Sequence, residues 1–154
     1  MTGSNVADRS EGPTAPPAQT AITVVVLALL GVLFHTVGFV GGIGVLSDIA
    51  GDPDYAGYRF ALTAVATVLA AVAAVLLLGG VAAILTHRTI GPPVTVAGCG
   101  TALAAQLVNI GADVTDGSLS INIGSAVLYM LCPIVCGVLA RRAATREWVT
   151  APRR

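Results

Sequence analysis

Lysine is absent from this 154-residue chain, and only 10% of its residues are charged. An ordinary soluble domain carries about 25%. So little charge cannot cover a water-facing surface, which excludes a soluble globule. The same scarcity of polar residues excludes a disordered chain. Eight arginines balance the acidic residues to zero net charge. A neutral balance without lysine clusters argues against a phosphate-binding surface, so nucleic acid is not expected as a partner. Cysteine is sparse too. Cys99, Cys132 and Cys136 are the three present, all within apolar runs, and an odd number there is no secreted disulfide framework.

What remains is apolar. Hydrophobic residues make up 55% of the chain, and the mean hydropathy is +0.86. Met1–Gln19 is polar and contains Pro13, Pro16 and Pro17, so residues 1–20 are expected as a flexible cytoplasmic tail. Apolar stretches follow at about 21–46, 60–85, 94–112 and 119–140. Each reaches the roughly 18–20 residues that cross about 30 Å of hydrocarbon at 1.5 Å per residue. Lipid supplies no partner for an open sheet edge, so the stretches are expected as helices. The first is too long for a signal-peptide core and has no basic flank just before it, so it is expected to be retained.

The predicted fold is therefore all-α, an integral-membrane four-helix bundle with short loops over residues 21–140. A basic cytoplasmic tail, 141–154, follows it. Four crossings put Arg9, Arg88, Arg141, Arg142, Arg146, Arg153 and Arg154 on one side and Arg59 on the other. Cationic residues favour the cytoplasmic side, which predicts both termini inside (N-in/C-in) and a multi-pass location in the plasma membrane. Tyr55, Tyr58 and Phe60 suit an outer aromatic belt, and Trp148 suits the inner interface. The stretch from Ala140 to Val149 either prolongs the fourth helix onto anionic lipid heads or is a solvated tail. An abundance of Ala, Val, Gly and Arg without Lys is the composition of a GC-rich bacterial genome.

His35 sits near the middle of the first span. A polar group in hydrocarbon without a partner costs several kcal/mol, so the ring is expected to face other helices. An ionisable residue at that depth is a candidate functional residue; the competing expectation is a neutral imidazole hydrogen-bonded to another helix. Cys99, Tyr129 and Cys132 fall at about the same depth, with Cys136 one turn from Cys132. With His35 the three cysteines are soft donors suited to Cu(I) or Zn(II), but free cysteine is also an ordinary small apolar filler, and that is the favoured reading. No cofactor or metal is expected.

Gln106, Asn109 and Asp113 recur at three- and four-residue steps on the third span, and Asn122 opens the fourth at a similar level. They are expected either to line a shallow outward-facing vestibule or to hydrogen-bond between helices. Asp48, Asp52 and Asp54 miss the spacing of an EF-hand and read as a solvated loop. Small residues form candidate packing faces: Gly31, Gly38 and Gly42 on the first span, and Ala66, Ala70 and Ala74 on the second. Pro133 removes a backbone donor in the fourth span and is expected to kink it.

Catalysis finds no support. There is no intramembrane carboxylate pair, G-x-S-x-G elbow, H-E-x-x-H or phosphate-cradling loop, so an enzyme is not expected. Two functional expectations remain. The first is a scaffold or accessory subunit acting through helix contacts, as a homo-oligomer or within a larger membrane complex in the lipid bilayer. The alternative is a transporter or channel for a small solute or ion, using His35 and the Gln106–Asn109–Asp113 stripe.

Overall fold

A computed structural model describes residues 17–50, 57–115 and 123–151, with side-chain surroundings described at 18–50, 57–112 and 129–151. Among these residues all regular structure is helical. The order is α1 (Pro17–Ile49), α2 (Gly57–Leu85), α3 (Gly91–Thr115), α4 (Ile123–Arg141) and α5 (Ala143–Thr150). Three helices, over Ala18–Ile49, Gly57–Leu85 and Gly91–Ala112, are long and apolar enough to cross a membrane, and they mark the chain as membrane-embedded. The expected tail over 1–16 and the expected acidic loop at Asp52 and Asp54 lie outside the described residues.

The surface behaves as lipid-facing surface should. Val75 is 70% exposed, Val37 64% and Val40 63%, which water would penalise and lipid does not. The exposed hydroxyls are satisfied inside their own helices. Thr23 donates to Gln19 O at 2.9 Å, Thr36 to Val32 O at 2.8 Å, Ser47 to Ile43 O at 2.9 Å and Thr101 to Ala97 O at 3.0 Å. Such i−4 bonds are neutral to slightly unfavourable in a water-exposed helix, but in hydrocarbon they remove an unpaired donor.

α1 has 33 residues, about 50 Å at 1.5 Å each. It starts at Pro17, earlier than the apolar run. A proline at the first helical position loses a donor that would be orphaned anyway, so the helix extends into the polar flank. α2 and α3 form the tightest pair. Buried positions on α2 step by four and three through Ala66, Ala70, Ala73, Leu77, Gly80 and Ile84. Those on α3 step alike through Gly91, Thr95, Gly98, Ala102 and Ala105. A 3.5-residue period is that of left-handed packing along a straight seam. The helices run antiparallel along it. Backbone approaches so closely that an added Cβ at Gly98 would lie 3.0 Å from Leu77 N, and one at Gly91 2.8 Å from Ile84 N. Lipid cancels the hydrophobic drive between helices, so dispersion at such short approach is what holds them.

The α2–α3 turn is a Schellman motif. Arg88 N donates to Ala83 O at 2.8 Å and His87 N to Ile84 O at 3.0 Å. His87 occupies the left-handed position, with φ 55°, where glycine is usual. It is held there by α5: its Nδ1 lies 2.9 Å from Trp148 O, and the two rings stand 4.9 Å apart.

α1 packs against α2 and α4, α3 against α4, and α5 against α1 and the end of α4. The core lies towards the α5 end, with Val24, Ala28, Leu77, Val81, Ile84, Cys99, Cys136 and Ala140 forming one buried cluster beneath Trp148. Part of the expected basic tail is thus a docked helix. Arg142 adopts φ −63°, ψ 148° and breaks the run. The Thr145 hydroxyl then donates to Leu139 O at 2.8 Å, joining Arg142 N at 3.1 Å on a carbonyl of the last turn of α4. Val149 and Thr145 are buried. α4 itself stays helical through Pro133.

Candidate functional site

Away from the α5 end a cleft of about 760 Å³ lies, among the described residues, between α1, α2, α3 and Tyr129 of α4. Its polar lining comes from three helices. α1 contributes His35, which is 9% exposed. α3 contributes Gln106 and Asn109, half-buried and exposed respectively. α2 contributes Arg59, Thr63 and Thr67, one face of a helix at four-residue steps.

Glycine makes room for this arrangement. A Cβ at Gly38 would meet nothing within 4 Å, so the α1 backbone borders open space there. One helical turn further on, a Cβ at Gly42 would overlap Thr67 Oγ1, so Gly42 lets α1 come close to α2 there. The Thr67 hydroxyl donates to Thr63 O at 2.7 Å, within its own helix. The Phe34 ring meets Tyr129 edge-on, with centroids 5.4 Å apart and planes at 83°, and this pair forms the α1–α4 wall.

His35 marks the floor. Below it lies a cavity of only about 20 Å³, bordered by Gly31, His35, Cys99, Tyr129, Cys132 and Pro133. Further down, Val24 and Ala28 are sealed against Leu77 and Cys136. No hydrogen bond joins His35 to another described residue. No buried side-chain nitrogen or oxygen among the described residues lacks a partner, so the His35 ring nitrogens reach open space. Two thiols close the α1–α4 contact by weak donation to backbone carbonyls, Cys132 Sγ to Leu27 O at 3.9 Å and Cys136 Sγ to Val24 O at 3.7 Å. Cys136 also lies within hydrogen-bonding reach of the Cys99 thiol.

The structure thus gathers residues that the sequence singled out separately. His35, Gln106, Asn109 and Tyr129 share the cleft, and Cys99, Cys132 and Cys136 meet beneath it. The side chains of Asp113 and Asn122 lie outside the described residues. Among the described residues no three His, Cys, Asp or Glu side chains converge to hold a metal ion. The packing faces divide. Ala66 and Ala70 are buried, Ala74 is half-buried, and the α2 seam continues through Ala73 instead. Gly31 and Gly42 each meet α2.

Sequence reasoning missed Arg59, Thr63 and Thr67 as lining residues. Their signal was legible: three polar positions at four-residue steps, led by the one arginine assigned to the far side.

The lining mixes donors and acceptors, namely two carboxamides, an imidazole, a phenol and two hydroxyls, with the Arg59 guanidinium at its edge. Such a site suits a small polar solute. No protein-family model, curated protein or solved structure matches the chain.

Proposed function

We propose that this chain is a four-helix bundle of the plasma membrane that binds a small polar solute in the cleft, as part of a transport function. In this reading α4 is the fourth span. Its 19 residues reach about 28 Å at 1.5 Å each. Both termini then face the cytoplasm, as the arginine split favours, and the cleft opens outward. One observation carries the reading: His35, Arg59, Gln106 and Asn109, drawn from three helices, line a single cavity in the half of the molecule that the buried cluster of described residues around Leu77 does not reach. A ring such as that of His35 is costly at membrane depth unless partnered or hydrated, and a hydrated cleft would supply what packing does not.

Proteoliposomes assayed with radiolabelled amino acids, monosaccharides and monocarboxylates test this. Saturable uptake of one class, reduced by His35→Ala and by Asn109→Ala, supports it. Absence of uptake of every class, or uptake unchanged in both variants, overturns it.

A second reading, a scaffold or accessory subunit, is favoured by the outer surface of α1. Added Cβ atoms at Gly41 and Gly44 would meet nothing within 4 Å, so another helix can approach this backbone closely. Disulfide capture of Val40→Cys with a second copy or a partner in native membranes supports that reading. Exclusively uncrosslinked protein counts against it.

A further inference from the structure

At the α5 end a second hollow, of about 450 Å³, lies between the start of α3, the last turn of α4 and α5. It is built in two levels. Its floor is apolar: Pro92, Pro93 and Val96 from α3, Ala140 from α4 and Val149 from α5. Its rim carries Arg141, Arg146, Thr89 and Thr150.

Val96 stands five residues into α3, about 8 Å along the axis, so the floor descends beside the apolar span while the rim stays at the span's end. Neither arginine is ion-paired to a described carboxylate, and both are exposed. Glu147, the acidic residue of α5, does not line the hollow.

The backbone offers no anion nest here. Gly91 N is bonded to Arg88 O at 3.0 Å and Val94 N to Ile90 O at 3.1 Å, and the two residues between them are prolines with no N–H. Recognition of negative charge therefore falls to the side chains. The Thr150 hydroxyl donates to Arg146 O at 3.0 Å, which leaves it an acceptor for a ligand hydroxyl.

A cationic rim above an apolar floor at a membrane boundary complements one class of molecule. We infer that this hollow is a site for an anionic phospholipid, its phosphodiester held between Arg141 and Arg146 and its glycerol and upper acyl chain on Pro92, Pro93 and Val96. Guanidinium groups grip phosphate through paired N–H donors. α5, clasped through His87 and Trp148, keeps Arg146 opposite Arg141. The inference rests on the membrane embedding of α3, not on the solute-binding reading of the cleft.

The test uses full-length protein in detergent micelles doped equally with phosphatidylglycerol and phosphatidylcholine, with retained lipid counted by native mass spectrometry. Each arginine near an anionic head contributes about fivefold, so the pair gives a preference of about 30-fold for phosphatidylglycerol. Arg141→Gln with Arg146→Gln is expected to bring the ratio towards one. The charge-matched pair Arg88→Gln with Arg142→Gln, both outside the hollow, is expected to keep it. Val96→Phe, which fills the floor and leaves both arginines, is expected to lose the adduct and guards against misfolding of the double variant. No lipid preference in the wild type, equal loss in both charge-matched pairs, or full retention in Val96→Phe would each overturn the inference. So would glycerol 3-phosphate binding as tightly as the lipid, which would make the site one for a free phosphate ester.

Discussion

Gly79 and Gly80 are neighbours on α2 with opposite surroundings. A methyl group at Gly80 would overlap Thr95 Oγ1 and lie 2.9 Å from Thr95 N and 3.0 Å from Thr95 Cα. Two of these three atoms are α3 backbone, so no rotamer change relieves the clash. Thr95 is itself fully buried, its hydroxyl donating to Gly91 O at 3.0 Å. The helices must separate, and the neighbouring contacts of Leu77 with Gly98 and of Ile84 with Gly91 loosen with them. At Gly79 the nearest atom, Val94 Cγ1, would lie 4.0 Å away, an ordinary contact. Overpacking costs about 1–3 kcal/mol, and alanine in place of glycine within a helix returns about 0.5–1 kcal/mol. Gly80→Ala should therefore destabilise by about 1–2 kcal/mol, and Gly79→Ala should stabilise by about 0.5–1 kcal/mol. Reversible unfolding in SDS, followed by circular dichroism, measures both. Shifts of the same sign, or a gap below about 0.5 kcal/mol against the roughly 2 kcal/mol expected, would refute close backbone approach as the basis of α2–α3 packing.

Two further outcomes follow from the α5 end and the cysteines. His87→Gly removes a left-handed cost of about 1–2 kcal/mol but also removes the contact of Nδ1 with Trp148 O and the ring pair. Its expected signature is a red-shifted, more quenchable emission from Trp148, the single tryptophan, with helix content unchanged; an unaltered spectrum would show that the clasp does not hold α5. Cys132 is half-buried, whereas Cys99 is 4% and Cys136 1% exposed. A membrane-permeant maleimide should modify Cys132 first, as read by peptide mass, and equal rates at all three would contradict the packing of α4 on α1 and α3.

Much of the architecture was legible because lipid makes the pattern coarse. A run of some twenty apolar residues needs no fine periodicity to be read as a helix, and α2 and α3 fall close to the expected runs at 60–85 and 94–112. Boundaries were less legible. α1 gains Pro17 to Thr20 through a favourable start at a proline, a local backbone effect that hydropathy does not register. α5 depends on Arg142 turning extended and Thr145 donating to Leu139 O, a tertiary arrangement with no composition signal. The site was half legible. His35 and the Gln106–Asn109 stripe announce themselves by polarity in apolar context. That they face one cavity depends on where Gly38 and Gly42 let α1 stand off from or approach α2. Reading the small residues of α2 at uniform four-residue steps selected Ala74, whereas the 3.5-residue period of the seam selects Ala73.

The division of the molecule into a sealed half and an open half constrains how solute would cross. The cleft ends at His35, and beneath it the cavity of about 20 Å³ is smaller than any metabolite. Passage must part helices beneath the cleft. The α2–α3 seam is a poor place to open, since backbone lies against backbone at Gly80, Gly91 and Gly98. The α1–α4 contact is the weaker one: its polar contacts are two thiol–carbonyl approaches of 3.9 and 3.7 Å, each far softer than an N–H···O bond, beside side-chain packing such as the Phe34–Tyr129 pair. In the transport reading, separation of α1 from α4 beside a rigid α2–α3 pair is therefore the low-cost route, and it would expose the cleft to one side at a time. Such a carrier saturates with solute concentration and shows no unitary conductance in planar bilayers. Replacing Cys132 and Cys136 by Val, which keeps size and removes both thiol contacts, should raise the maximal uptake rate or leave it unchanged. Discrete single-channel currents from the purified protein, or a large loss of uptake in that double variant with folding intact, would refute an α1–α4 gate.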